Sequence, residues 1–237
     1  QYFMTEYQEH IKNKYCRAGV CQDLFISPCE NSCPLHMNIP GYLELYKEKK
    51  LLESFESILR DNSLPSSLGR ICHFHCKMRC RREDIDEPVL QGETHRYIAD
   101  TIYDAGKEEQ IYKKLIAEKL PATGHKIAIV GAGPAGLTAA FYLIRLGHAV
   151  TVFDKYPEAG GIMRWGIPAY RLPRKVLAHE VNFLKKLGVK FTLKTEIGKG
   201  ASLKALSTKF DKIFLATGAE KEMGLGIPGE KLKGVVQ

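Results

Sequence analysis

From residue 127 to residue 144 the chain carries no charge, a run of eighteen bounded by Lys126 and Arg145, with Gly131-Ala132-Gly133-Pro134-Ala135-Gly136 inside it. An apolar run of that length is near what a membrane helix needs. Gly131, Gly133, Pro134 and Gly136 interrupt any continuous helix, so no membrane span is expected. The pattern reads instead as a strand over 126–130, a tight turn, and a helix over 134–146. In that setting the glycines form a dinucleotide fingerprint: the first makes the turn, the second lets backbone approach a pyrophosphate, and the third lets helix and strand pack closely. Amides at the helix N-terminus then face phosphate charge. Asp154 falls twenty-three residues after Gly131, at the end of a second strand over 149–153, with Lys155 beside it. An acid there is placed to accept hydrogen bonds from a ribose, and it favours a free hydroxyl, as in FAD or NAD, over a 2′-phosphate.

The second half continues as alternating helix and strand: a helix over 173–187, a strand over 189–193, a short helix near 202–206 and a strand over 212–216. That alternation predicts an α/β Rossmann-like fold with a parallel sheet and crossover helices. The first half has a different texture. Leu43, Leu45, Leu51, Leu52, Phe55, Ile58 and Leu59 recur at roughly helical spacing, and residues 94–120 again read as helix, interrupted near Gly106. We expect three segments: a tail over 1–27, a helical domain over 28–120, and a nucleotide-binding domain over 121–237 that is incomplete. No internal repeat is evident.

All seven cysteines lie between positions 16 and 80. A secreted disulfide framework would use an even number behind a signal peptide, and no such peptide is seen. The thiols therefore read as metal ligands in a reducing compartment, which places the chain in the cytoplasm. A composition of 44% apolar and 26% charged residues excludes a disordered chain. The formal charge of +8 alone does not choose among nucleic acid, an acidic protein partner and a basic surface.

Gly160-Gly161 soon after the acid, and Ala216-Thr217-Gly218 after a later strand, resemble the flavoprotein pattern of enzymes with two dinucleotide domains. The string Gly160-Gly-Ile-Met-Arg-Trp-Gly-Ile-Pro-Ala-Tyr-Arg171-Leu-Pro173 resembles the matching run in three relatives. These are the glutamate synthase small-subunit family, the N-terminal half of dihydropyrimidine dehydrogenase, and the large subunit of bifurcating NADH-dependent ferredoxin:NADP oxidoreductase. The resemblance implies FAD, with the glycines and Arg171 by the flavin. It also implies two 4Fe-4S clusters in the helical domain. Cys29-x3-Cys33-Pro34 and the group Cys72, Cys76, Cys80 after Gly69-Arg70-Ile71 match the family's cysteine elements. The family's eighth ligand is a glutamine or glutamate about fifteen residues after the last cysteine, and the alignment puts His95 there. The carried-over assignment gives Cys16, Cys21, Cys29 and Cys80 to one cluster, and Cys33, Cys72, Cys76 and His95 to the other. A neutral imidazole in place of a carboxylate should raise the potential. His73 and His75 read as packing or surface residues.

The first pair departs from the family's Cys-x2-Cys-x4-Cys. The run around His10, Cys16 and Cys21 resembles the tail of the NADH-binding flavoprotein subunit of complex I and bifurcating hydrogenases, where a zinc site is found. Zinc held by His10, Cys16 and Cys21 is thus the alternative to one cluster.

The resemblance implies an electron-transfer segment of a multisubunit oxidoreductase, related to bifurcating transhydrogenases or hydrogenases, with no general base or nucleophile of its own. NAD(P)H would bind outside the chain, which opens on Gln1 and is expected to be a processed or internal fragment. Partners would be other subunits and a ferredoxin-like carrier attracted by Arg70, Lys77, Arg79, Arg81 and Arg82. Nucleic acid is disfavoured, because no aromatic-rich binding module accompanies the charge. The rival is a non-catalytic zinc scaffold with a vestigial Rossmann domain.

Overall fold

The computed structural model describes residues 26–199, 202–219, 226–230 and 232–233. His10, Cys16 and Cys21 lie outside the described residues.

The helical half runs through α1 (Pro28–Asn31), α2 (Ile39–Lys47), α3 (Leu51–Asp61), α4 (Pro65–Ile71), α5 (Gln91–Asp104) and α6 (Glu108–Ala117), with 3-10 turns at Lys77–Arg79 and Arg81–Asp84. The apolar periodicity around residue 50 spans two helices, because Lys49 takes a left-handed φ of 62° and turns the chain between α2 and α3. Gly106, at φ 62°, separates α5 from α6, where the sequence predicts an interruption.

The second half is β1 (Lys126–Val130), α7 (Pro134–Arg145), β2 (Ala149–Phe153), α8 (Ile162–Trp165), α9 (Arg174–Lys186), β3 (Lys190–Thr192), α10 (Leu203–Ser207) and β4 (Lys212–Leu215). The four strands form one parallel sheet in the order β3-β2-β1-β4. Lys126 pairs with Ala149 and Val130 with Phe153, while Ile127 pairs with Lys212 on the other side. Central β1 is covered on both faces, which is why Ile127, Ala128, Ile129 and Val130 are all apolar. This is a helical domain followed by a Rossmann-like parallel sheet.

The core is continuous across the two halves. Phe55, Ile98 and Leu115 belong to the same buried cluster as Phe141, Phe183 and Leu184. Tyr112 of α6 stacks on Phe183 of α9 with ring centroids 4.1 Å apart and planes 16° from parallel. Such a pair adds about 1 kcal/mol beyond its buried area. The connecting segment is fixed as well: Leu120 N–H donates to Arg145 O at 2.9 Å and Thr123 N–H to Gly147 O at 3.0 Å. Among the described residues no helix is long and apolar enough to cross a membrane.

Candidate cofactor sites

The phosphate-binding turn is built by close backbone approach. Gly131 sits at φ 110°, and a Cβ there would come within 2.1 Å of Ala216 O, so β4 runs against it with no room for a side chain. A Cβ on Gly136 would lie 1.9 Å from Gly131 O, so α7 can fold back onto β1 only with hydrogen at that position. Gly133 differs: the nearest atom to its Cβ position is Gly161 Cα at 3.8 Å. It is the N-cap of α7 and offers no capping side chain, and Pro134 and Ala135 open the helix at the exposed surface. The first-turn amides are thus left to a ligand.

Gly160-Gly161 rests on this turn. Gly160 N–H donates to Ala132 O at 2.8 Å, and Gly161, at φ 51°, would place a Cβ 2.6 Å from Gly133 Cα. Asp154 is buried; its Oδ2 accepts Ala132 N–H at 2.6 Å and its Oδ1 accepts Tyr156 N–H at 2.8 Å. A cavity of about 220 Å³ opens beside it, lined by Gly131, Asp154, Lys155, Thr195, Glu196 and Thr217 among others. Gly218 follows at φ 73° with open space around it. The structure therefore gathers the fingerprint glycines, Asp154, Lys155, the glycine pair and Thr217 at one end of the sheet. Arg171 is not among them: it is exposed and lines neither this cavity nor the next.

A second cavity, of about 420 Å³, has Cys33, Cys72, Cys76 and His95 in its wall, with Tyr42 and Gln91. Pro134, Ile162, Met163 and Ile167 of the Rossmann half complete that wall. Cys33 follows α1, which Ser27 caps by accepting Glu30 N–H at 3.3 Å. Cys72 is the C-cap of α4, Cys76 precedes a 3-10 turn, and His95 stands on α5. Gly69 lets α4 cross α5 closely, since a Cβ there would sit 2.5 Å from Arg96 Cβ. Between the cysteines, Phe74 takes φ 55° and donates its N–H to Cys72 Sγ at 3.3 Å. Val89 N–H donates to Cys80 Sγ at 3.5 Å, and Ser27 Oγ bonds Cys29 Sγ at 3.1 Å. Cys29 and Cys80 stand outside this cavity's wall, while His73 and His75 lie within it.

Cys29, Cys33, Cys72, Cys76 and Cys80 are all free thiols. Burial pushes the Cys76 thiol up to about 11, and the nearby thiolates of Cys72 and Cys33 add to the rise. Tyr42 is raised by burial and then by Cys76, Cys29 and Cys33. Clustered thiolates that raise one another are the donor set a cationic iron–sulfur core neutralises. Burial lowers His95 to about 4, with Glu93 pulling weakly the other way, so the ring is a neutral imidazole at pH 7 and free to donate a lone pair. Among the described residues its Nδ1 has no hydrogen-bond partner, nor does Gln91 Oε1 one helical turn earlier. Among the described residues no three His, Cys, Asp or Glu side chains converge on one point that would hold a single metal ion. A cubane spreads its ligands over four irons and does not need that convergence.

Sequence reading missed Gln91, Tyr42 and Arg174. The Arg174 guanidinium donates to Met163 O and Ile167 O, both at 3.0 Å, and so holds the loop that walls the cavity. Of the basic residues near the cysteines, Arg70 pairs with Asp100, Lys77 with Glu93 and Arg82 with Asp86. Arg79 and Arg81 have no ion pair among the described residues.

A helical cysteine-bearing domain set against a Rossmann-like nucleotide site defines an iron–sulfur oxidoreductase architecture. Residues 3–107 match the family model described as dihydropyrimidine dehydrogenase domain II, 4Fe-4S cluster, and residues 125–237 match the pyridine nucleotide-disulphide oxidoreductase family. The chain thus carries one region similar to each of these two families, and glutamate synthase small chains are among the relatives it resembles. It is 36% identical over 229 residues to the NADP(+)-dependent formate dehydrogenase subunit beta of Moorella thermoacetica, covering 90% of this chain and 32% of that one. It is 39% identical over 211 residues to the NADPH-Fe(3+) oxidoreductase subunit beta of Geobacter sulfurreducens, covering 88% and 30%. The glutamate synthase [NADPH] small chain of Halomonas elongata is 39% identical over 209 residues, covering 87% and 43%. The chain thus spans less than half the length of these relatives.

Proposed function

We propose that this chain is the electron-transfer segment of an NADPH-linked flavin iron–sulfur oxidoreductase, with FAD on the Rossmann half and two 4Fe-4S clusters on the helical half. The observation that carries the reading is the shared wall: Pro134 and Met163 line the same cavity as Cys33, Cys72, Cys76 and His95. A flavin exchanges hydride for single electrons, and a cluster carries one electron at a time. The residues present fit both groups. Gly131 and Gly133 leave backbone bare for a pyrophosphate, the α7 amides meet its charge, and Asp154 meets the ribose. Cys33, Cys72, Cys76 and His95 hold one cluster. Cys29 and Cys80, with Cys16 and Cys21, hold the other.

Apolar lining and half-burial keep water from the thiolates, and N–H donors such as Phe74 stabilise sulfur charge. The named cofactor of the relatives favours NADPH as the two-electron partner, bound outside residues 1–237. The one-electron partner is another subunit or a ferredoxin-like carrier, drawn by Arg79 and Arg81.

The test is anaerobic metal, labile sulfide and flavin analysis with electron paramagnetic resonance of the reduced protein. About eight irons per chain with bound flavin supports the reading. About four irons with one zinc assigns His10, Cys16 and Cys21 to zinc, and zinc without iron or flavin overturns it.

A further inference from the structure

We infer that Glu180 of α9 is a positioning residue that sets the cluster-bearing helix α4 against the flavin side of the molecule; the inference rests on the function proposed above.

Helix α4 carries Cys72 at one end and needs a cap at the other. Its N-cap is Leu64, which has no side-chain acceptor, yet Ser66 and Ser67 in its first turn are fully buried. Their amides would be orphaned donors in an apolar interior. Glu180 supplies the acceptor from the other half of the chain. Its Oε1 takes Ser66 N–H at 2.8 Å and Ser67 N–H at 3.0 Å, and its Oε2 takes the Ser67 hydroxyl. The carboxyl is itself fully buried. A buried carboxylate is costly unless several donors meet it, and here three do, with Arg70 close by.

The network continues toward the cysteine cavity. Arg70 Nη1 donates to Ser66 O at 2.9 Å and Arg70 Nη2 to Asp100 Oδ2 at 2.6 Å on α5, the helix that bears His95. The same α9 that carries Glu180 begins at Arg174, whose guanidinium holds Met163 O and Ile167 O in the opposite wall. Six residues, about 9 Å of helix, therefore link both walls of the cavity through one rigid element. An apolar residue at 180 would fill the same space without fixing α4's rotation or rise. The arrangement uses a hydrogen-bonding carboxyl group where packing alone would have been satisfied by a leucine.

The experiment uses the full-length holoprotein with Glu180→Asp and Glu180→Gln. Aspartate keeps the carboxyl group but shortens the reach by one methylene; glutamine keeps an acceptor oxygen at full reach without a titratable proton. Iron, sulfide and flavin contents are measured first. A wild type without iron and flavin refutes the proposed function and leaves no cluster for Glu180 to position. With cofactors present, the readouts are the g values of the reduced cluster signals and the rate at which electrons pass from flavin to cluster after rapid mixing. In Glu180→Asp one cluster signal should change and the rate should fall severalfold, because electron tunnelling between flavin and cluster weakens as the two are moved apart or reoriented. Glu180→Gln should restore both toward wild type. A fully loaded Glu180→Asp with wild-type g values and rate overturns the inference, as does a Glu180→Gln as impaired as the aspartate. If Glu180→Asp does not load, Ser67→Ala, which removes one of the three donors, decides on the same readouts in the same direction.

Discussion

Asp154 Oδ2 accepts the Ala132 N–H at 2.6 Å, so the acid that ends β2 is hydrogen-bonded to the middle of the phosphate-binding turn that follows β1. Its other oxygen takes Tyr156 N–H. The carboxylate is therefore part of the scaffold before any ribose reaches it. The remaining lone pairs face a site whose shape the same carboxylate maintains. The ribose contact proposed above and the folding of the turn would thus be joined at this residue.

Asp154→Ala is expected to leave two backbone donors without their acceptor, destabilising the protein by about 1–3 kcal/mol. It should also lose most bound flavin. Thermal unfolding and flavin content after desalting check this, and a variant that keeps both wild-type stability and flavin would refute the dual role.

Gly131→Ala forces a side chain into a left-handed backbone and onto Ala216 O, at a Cβ distance of 2.1 Å. A loss of at least about 2 kcal/mol and of flavin binding is expected. Gly218→Ala is the control, since its Cβ meets nothing within 4 Å and only the φ of 73° opposes it; it should be affected less.

Burial raises Glu180 from 4.5 to about 7, against the lowering effect of its Ser67 and Ser66 bonds and of Arg70. The native state thus binds more protons than the unfolded state between about pH 4.5 and 7. This group's contribution is full below that window and is lost as pH rises through it, by on the order of 3 kcal/mol. Tyr103 of α5 and Tyr112 of α6 also face it, both raised by burial and un-ionised throughout. Urea unfolding from about pH 5 to pH 8 should show wild type losing stability relative to Glu180→Gln. A difference that stays constant over that range would contradict the assignment.

His95→Cys should give the cluster a fourth anionic ligand and lower its reduction potential, whereas His95→Ala should raise its lability to chelator. A redox titration followed by electron paramagnetic resonance reads the first and iron release the second. Unchanged potential and unchanged release would show that His95 is not a ligand.

Much of the Rossmann half is legible in the sequence because its signals are local. The apolar run before Gly131, the glycine spacing and the alternation to residue 216 place β1, α7, β2 and β4 within a residue or two of their observed bounds. The cysteine grouping is legible through resemblance, and the structure brings Cys33, Cys72, Cys76 and His95 to one wall. What is not legible arises between halves. Glu180 sits in Leu-Ala-His-Glu-Val, a segment that reads as an ordinary helix with a solvated acid. Its burial is decided by Ser66 and Ser67, 114 and 113 residues earlier. Arg174 is similar: a polar residue at the start of an amphipathic helix, whose carbonyl partners on Met163 and Ile167 no spacing rule connects to it. Residues 41–60 show the reverse case, where a continuous apolar pattern runs through a turn at Lys49.

Pro134 comes fifty-eight residues after Cys76, yet it lines the cavity into which Cys76 faces its neighbours. A chain made from its N-terminus onward exposes these thiols well before the residues that wall them off exist. Under the function proposed above, a cluster held by Cys33, Cys72, Cys76 and His95 would gain its second wall, Pro134, Ile162, Met163 and Ile167, only when the Rossmann half has been made and has docked.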